Sequence, residues 1–531
     1  MNTTKGIVES VLGIPTTKKL WTVNYPPALP FTPEHFTMGG VLPAVLYMFR
    51  WGHRRGKGAF AKTFGKELED KKMSPPTIED VLSELAKRND WFEGFESTTG
   101  KTILGDMLLT FCLENKNHQT GRVEQIQRAF ATHYLASWID LPDSVANLRY
   151  IPEMLVALLV HQKEGELIQQ NSKPSIFSVG SGFEENVLLK LFGNSMQIKG
   201  PFKTDLTSDY FHETNDPAHS VGLDQLLTVR IAQACGQAPT KAKGGGESEK
   251  IENQYPLAQK AAKDFREDLN VFIQAYGETI PRQAFLQMME SCIALGLTNI
   301  YFSTIKLLLE WEQTGVLTEQ REQNPWPIFV DCSCGNEHKL RNSAEESMAD
   351  FLRRFERVPV VMMCLRILDD KVRFIKKLKD SLPKTCPDAT EFINLLGSIF
   401  HGPHSYSEKI LDDLDELCSR LADELEKAEE ALEVQELLTG NGNPVARLAE
   451  AICLLMGDTI QKAHYLKAIH SCLMIDRPNG LAKRRKVQRR DASGKRTSAD
   501  ARSMVLTNTL LDFLVHRHLR KAAKGKGAAP L

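Results

Sequence analysis

The stretch VARLAEAICLLMGDTIQKAHYLKAIHSCLMIDRPNGLAKRRKVQRR, residues 445–490, decides how this chain is read. Val445–Leu455 and Thr459–Leu473 repeat apolar residues every three or four positions, the period of a helix with one buried face. Met456, Gly457 and Asp458 between them make a tight turn carrying a glycine and an N-cap. Next comes Arg477-Pro478-Asn479-Gly480, and Asn-Gly between extended runs signals a hairpin. A basic strand is then expected over Lys483, Arg484, Arg485, Lys486, Val487, Gln488, Arg489 and Arg490. Two helices, a short turn and a basic hairpin follow one another in the order of a winged helix-turn-helix. Its second helix offers Lys462, His464, Lys467 and His470.

Charge supports a polyanion at this end. Lys483 to Lys526 holds fourteen Lys/Arg against Asp491, Asp500 and Asp512, a surplus of eleven. The whole chain sums to −1, so the rest carries about −12. Phosphate neutralisation needs only cations on one surface, which makes the expected contact salt-sensitive and sequence-independent. Lys483, Arg484, Arg485, Lys486, Arg489, Arg490, Lys495 and Arg496 are the expected nucleic-acid-binding residues, and nonspecific DNA is the expected partner. Two alternatives remain: a solvated loop, or docking on an acidic helix of the same chain. That helix is expected in Ser405–Leu438, where Leu414, Cys418, Leu421, Leu425, Ala428 and Leu432 recur by four and three. Eleven acids face two bases from Asp412 to Glu436, which reads as the solvated face of a helical hairpin.

Outward from this core the pattern is mostly helical. Thr77–Lys87, Lys101–Glu114, Arg122–Trp138, Ser144–Gln162, Gln259–Tyr276, Pro281–Leu295, Asn299–Thr314 and Thr507–Leu519 show helical periodicity. Short strands fit Pro174–Val179, Met196–Phe202 and Pro327–Asp331, while prolines 26, 27, 30 and 33 suggest an extended surface segment pinned by Trp21 and Phe31. The glycine- and lysine-rich residues 236–253 read as a linker. The expected fold is mainly α, multi-helical and multi-domain, with minor β elements. It divides into a helical domain 1–235, the linker 236–253, a helical domain 254–440, a basic winged-helix domain 441–520 and a disordered tail 521–531. Singly spaced cysteines read as reduced thiols. Without a secretory signal or a long uninterrupted apolar run, the chain is expected in the cytoplasm and off the membrane.

No catalytic motif emerges. Ser97–Thr102 (STTGKT) resembles a phosphate loop, but Phe95 stands where glycine is needed, so a threonine cap on the following helix fits better. A divergent nuclease or an NTPase built on this loop remains the enzymatic alternative. Val179-Gly180-Ser181-Gly182-Phe183 begins like a dinucleotide turn, but Asn186 replaces the third glycine. Cys332, Cys334 and His338 fall short of a zinc set. Ser343 and Glu346 form a capping-box pattern. No cofactor or metal is expected.

Four phrases carry a resemblance: GLDQLLTVRIAQACGQ (Gly222–Gln237), TIPRQAFLQMMESCIALGLTNI (Thr279–Ile300), IFVDCS (Ile328–Ser333) and VLTNTLLDFLVHRHLR (Val505–Arg520). They resemble the helical accessory proteins of bacterial phage-defence clusters linked to DNA methylation or phosphorothioation. The resemblance implies a component that works on DNA beside an ATPase, nuclease or methyltransferase without catalysing the reaction itself. Partner proteins of such a multi-component system follow from it. A protein-binding scaffold without nucleic-acid contact is the remaining alternative.

Overall fold

The computed structural model describes residues 4–52, 59–69, 73–88, 92–115, 126–129, 148, 150–161, 176–179, 186–189, 191, 227, 230–231, 234–235, 255–277, 279–280, 282–318, 326, 328–375, 378, 389–490 and 496–522. The chain is mainly helical and divides into two compact units. One holds Met1–His35, Tyr255–Leu269 and Gln287–Leu531; the other holds Phe36–Gln254 and Asn270–Leu286. The expected linker lies outside the described residues.

In the first unit, α1 (Thr4–Leu12) and α2 (Ile14–Leu20) precede an irregular segment. That segment is buried, not spread over the surface: Tyr25, Ala28, Leu29 and Phe31 are all in the core, because their apolar mass outweighs the prolines. In the second unit, α3 (Val41–Trp51) packs on α7 (Ile151–Val160), and α4 (Ala59–Phe64) on α5 (Ile78–Ala86). Thr77 closes a capping box with Asp80 at the start of α5, and α6 (Thr98–Phe111) follows. The helix expected over Arg122–Trp138 is replaced at Ile126–Ala129 by strand β2, which pairs antiparallel with β1 (Leu113–Asn115). Ile126 is buried and its N–H donates to the Pro76 carbonyl, so backbone pairing overrides local helix propensity there. The start of the helix expected over Ser144–Gln162 lies outside the described residues, as do 196–202.

Helix α8 (Gln259–Tyr276) falls where its periodicity placed it. The two helices expected over Pro281–Thr314 are one, α9 (Arg282–Thr314). The helix runs unbroken through residues 296–298, and Gly296 lets α9 approach α8, because a Cβ there would stand 2.1 Å from the Phe265 ring. This helix is long and apolar enough to cross a membrane, and 72% of its apolar window is buried within the protein. Gly315 (φ +72°) ends it against Gly397, where a Cβ would meet the Gly315 carbonyl at 1.9 Å.

Strand β3 (Val330–Asp331) is followed by α10 (His338–Phe355) and α11 (Val358–Phe374). The capping box expected at Ser343 and Glu346 is absent, since α10 starts earlier and Glu337 accepts the Lys339 N–H. Helices α12 (Ala389–Phe400), α13 (Ser407–Lys427), α14 (Leu432–Thr439), α15 (Pro444–Leu455) and α16 (Asp458–Cys472) follow. Leu414, Cys418, Leu421 and Leu425 form the buried stripe of α13. The stripe stops there: Glu429 and Ala431 take positive φ, the chain turns, and Leu432 is 70% exposed. The chain closes with the hairpin β4 (Ala482–Arg490) and β5 (Arg496–Val505) and with α17 (Asn508–Ala522). Strand order is β3-β5-β4, with β3 parallel and β4 antiparallel to β5, and α10 lies on this sheet. Face-to-edge aromatic contacts run through the core from Phe31 to Tyr301, Phe355 and Tyr465.

Candidate nucleic-acid interface

The basic residues form the first strand of a hairpin, not the second. Asn479-Gly480 does not make the hairpin turn, because its amide is used elsewhere. Asn479 is buried against α9: its Nδ2 donates to Glu290 Oε2 at 2.8 Å, and its carbonyl accepts from Ser291 Oγ at 2.8 Å. Gly480 passes so close to Met474 that a Cβ would lie 2.1 Å from the Met474 carbonyl. The chain therefore folds back at the end of α16, where the Leu481 N–H donates to the Leu473 carbonyl at 2.8 Å, and β4 starts from this anchor. Residues 491–495, between β4 and β5, lie outside the described residues, and Lys495 is among them.

Register pairs Lys483 with Ser503, Arg484 with Arg502, Arg485 with Ala501 and Lys486 with Asp500. Lys483, Arg484, Arg485 and Lys486 are all exposed, whichever face the pleat assigns them. Arg489, Arg490 and Arg496 continue the two strands. Some of this charge is answered by the protein's own carboxylates. Arg484 faces Asp476 at 3.4 Å and Asp500 at 4.0 Å. Arg485 pairs with Glu345 of α10 at 2.6 Å, a hydrogen bond that raises its pKa further. Among the described residues Lys483 and Lys486 make no ion pair, and none joins the hairpin to the acidic helix α13. That helix meets other cations: Arg447 pairs with Asp415 and Lys371 with Asp413.

Helix α16 contributes less than its sequence offered. Lys462 stands 3.9 Å from Glu356, and His464 the same distance from Glu34. His470 is half-buried and accepts from Arg502 Nε at 2.8 Å. Burial, then the charges of Arg502 and Arg484, push its pKa down to about 4, so it stays neutral. Lys467 alone among the four is exposed.

The other sequence candidates resolve locally. Ser97, not a threonine, caps α6 by accepting the Gly100 N–H at 3.0 Å. A Cβ on Gly100 would sit 2.8 Å from the Phe95 Cα, so this glycine serves close packing. Asn186 likewise acts as a cap: its Oδ1 accepts from the Leu188 and Leu189 N–H groups. The Cys334 thiol donates to the Leu506 carbonyl, Cys332 is exposed, and His338 Nδ1 contacts Asn342. No three His, Cys, Asp or Glu side chains gather into a metal site among the described residues.

Sequence reasoning missed a cavity of about 340 Å³ beside the hairpin, between α8, α9, β3 and α17. Three of the four phrases quoted above supply part of its lining, through Gly296, Ile328 and Arg517. No period or motif in the sequence marks it, because it forms only where those segments converge.

No curated protein and no solved structure matches this chain. A family model does match, over residues 59–528, which include the hairpin, the cavity lining and most of both units. On that coverage, and in line with the methylation-linked side of the resemblance, the chain belongs to the family described as Methylation-associated defense system protein MAD7.

Proposed function

We propose that this protein is a non-catalytic component of a methylation-associated defence system, holding DNA through the β4–β5 hairpin and partner proteins through its helical body. The observation that supports this reading is the run Lys483–Lys486 on β4, four consecutive exposed cations on a strand that pairs with β5 alone among the described residues. Such a strand meets phosphates without reading base sequence. In this reading α15, α16 and the hairpin act as a winged helix-turn-helix whose wing is the main contact. Helix α16 then serves as support, since Lys462 already faces Glu356, His464 lies near Glu34 and His470 is half-buried and neutral. A cytoplasmic location accords with work on DNA.

The test is retention of duplex DNA by the full chain carrying both Lys483→Glu and Lys486→Glu. These two side chains are exposed and make no ion pair among the described residues, so the fold should be unaffected. Affinity at about 50 mM salt is expected to fall at least roughly tenfold, and the salt slope to drop by about two. Unchanged retention with an unchanged slope removes the reading.

A further inference from the structure

The cavity beside the hairpin has the chemistry of a ligand site. Its volume of about 340 Å³ lies within the roughly 300–1,000 Å³ of small-molecule sites. One wall is aromatic: Phe302 lies 4.1 Å from Phe351, which Trp326 meets edge-on at 5.5 Å. These rings hold one another, so the flat wall exists before any ligand arrives.

Its polar groups narrow the ligand class. Thr298 is 5% exposed, lines the cavity, and its Oγ1 has no hydrogen-bond partner among the described residues. A buried hydroxyl without a partner has lost its hydration with nothing in return, and a ligand's polar edge would restore that hydrogen bond. The two cations of the lining already face carboxylates: Arg517 Nε donates to Asp268 Oδ1 at 2.8 Å, and Lys306 lies 3.7 Å from Glu310. Asp264 adds a further acid. The cavity therefore carries no surplus positive charge for an anion. It suits a flat, uncharged ring with hydrogen-bonding groups at its edge.

Position joins this cavity to the basic strand. Met504 lines it and pairs in register with Ala482, the residue immediately before Lys483. We infer that the cavity receives a nucleobase, stacked on Phe302 and hydrogen-bonded by Thr298. The cavity's chemistry stands alone, but the source of the ring rests on the DNA-holding reading. Either a free nucleoside enters, or a base swings out of a strand lying along β4.

Calorimetric titration of the full chain with each of the four deoxynucleosides at millimolar concentration tests the inference. At least one is expected to bind. Thr298→Val, which keeps the shape and removes the hydroxyl, should weaken it about fivefold. Phe302→Leu should weaken it further, and thermal melts of both variants check the fold. Absence of binding by all four overturns the inference, as does equal binding by wild type and both folded variants. A second arm compares a single-stranded oligonucleotide with the same strand lacking one base. Weaker binding of the abasic strand assigns the base to the polymer; equal binding assigns the site to free nucleosides. Loss of oligonucleotide retention with nucleoside binding intact would sink the hairpin reading and leave the cavity standing.

Discussion

Arg485 grips Glu345 at two points, Nε to Oε1 at 2.9 Å and Nη2 to Oε2 at 2.6 Å, and so ties the basic strand to α10. The pair withholds one cation from any polyanion on the hairpin. Glu345→Gln should release it: DNA retention at low salt rises about two- to threefold and the salt slope steepens by up to about one. Because Arg485 is well exposed, stability should change by about 1 kcal/mol or less. Binding isotherms at several salt concentrations check the first expectation, and urea unfolding the second.

His470 supplies a pH dependence. Its pKa is held near 4, below the ordinary 6.5, so the unfolded chain binds more protons than the folded one between those values. The stabilisation is complete above pH 6.5 and is lost as pH falls toward 4. With partial exposure allowed for, the loss should be on the order of 1–2 kcal/mol. His470→Gln keeps an acceptor for Arg502 and should flatten this part of the profile, measured as the wild-type-minus-variant difference in urea midpoint at pH 7.5 and 5.5.

Two helical glycines should defy helix propensity. Alanine normally stabilises a helix interior by about 1 kcal/mol relative to glycine. At Gly397 the added Cβ meets the Gly315 carbonyl, and at Gly296 it enters the Phe265 ring. Gly397→Ala and Gly296→Ala should each cost about 1–3 kcal/mol in chemical denaturation, and Gly296→Ala should also weaken nucleoside binding, since Phe265 lines the cavity.

Arg357 bridges Glu312 of α9, at 2.8 Å, and Glu450 of α15, at 3.1 Å. Arg357→Met leaves the half-buried Glu312 carboxylate without its cation, at an expected cost of about 2 kcal/mol. Arg357→Lys should recover part of it. The comparison of the two urea midpoints separates the charge from the side chain's packing.

What the sequence made legible follows from the range of the forces involved. Helices α5, α8, α15 and α16 depend on a periodic apolar face and local caps, and they stand within a residue or two of where the pattern placed them. The exposure of Lys483–Lys486 was legible for the same reason, since four adjacent cations cannot all be buried. Errors came where a distant segment decides local conformation. Asn479-Gly480 is a hairpin signal in isolation, but its amide is claimed by Glu290, 189 residues away in the chain. Pro281–Leu295 and Asn299–Thr314 read as separate helices until Gly296 is packed against Phe265, and Ile126 reads as helical until Leu113–Asn115 pairs beside it. Leu432 continued a heptad whose helix had already ended.

Among the described residues strand β4 pairs with β5 alone. Asp476 occupies the start of its outer edge, giving its N–H to the Ala482 carbonyl and accepting the Arg484 N–H, so that only the edge beyond Arg484 offers N–H and C=O groups on which another chain could lengthen the sheet. Four like charges in succession make a second copy of the same strand a poor match, since every approach sets cation against cation. Neutralising these side chains would lift that repulsion and make pairing between two copies of the strand easier.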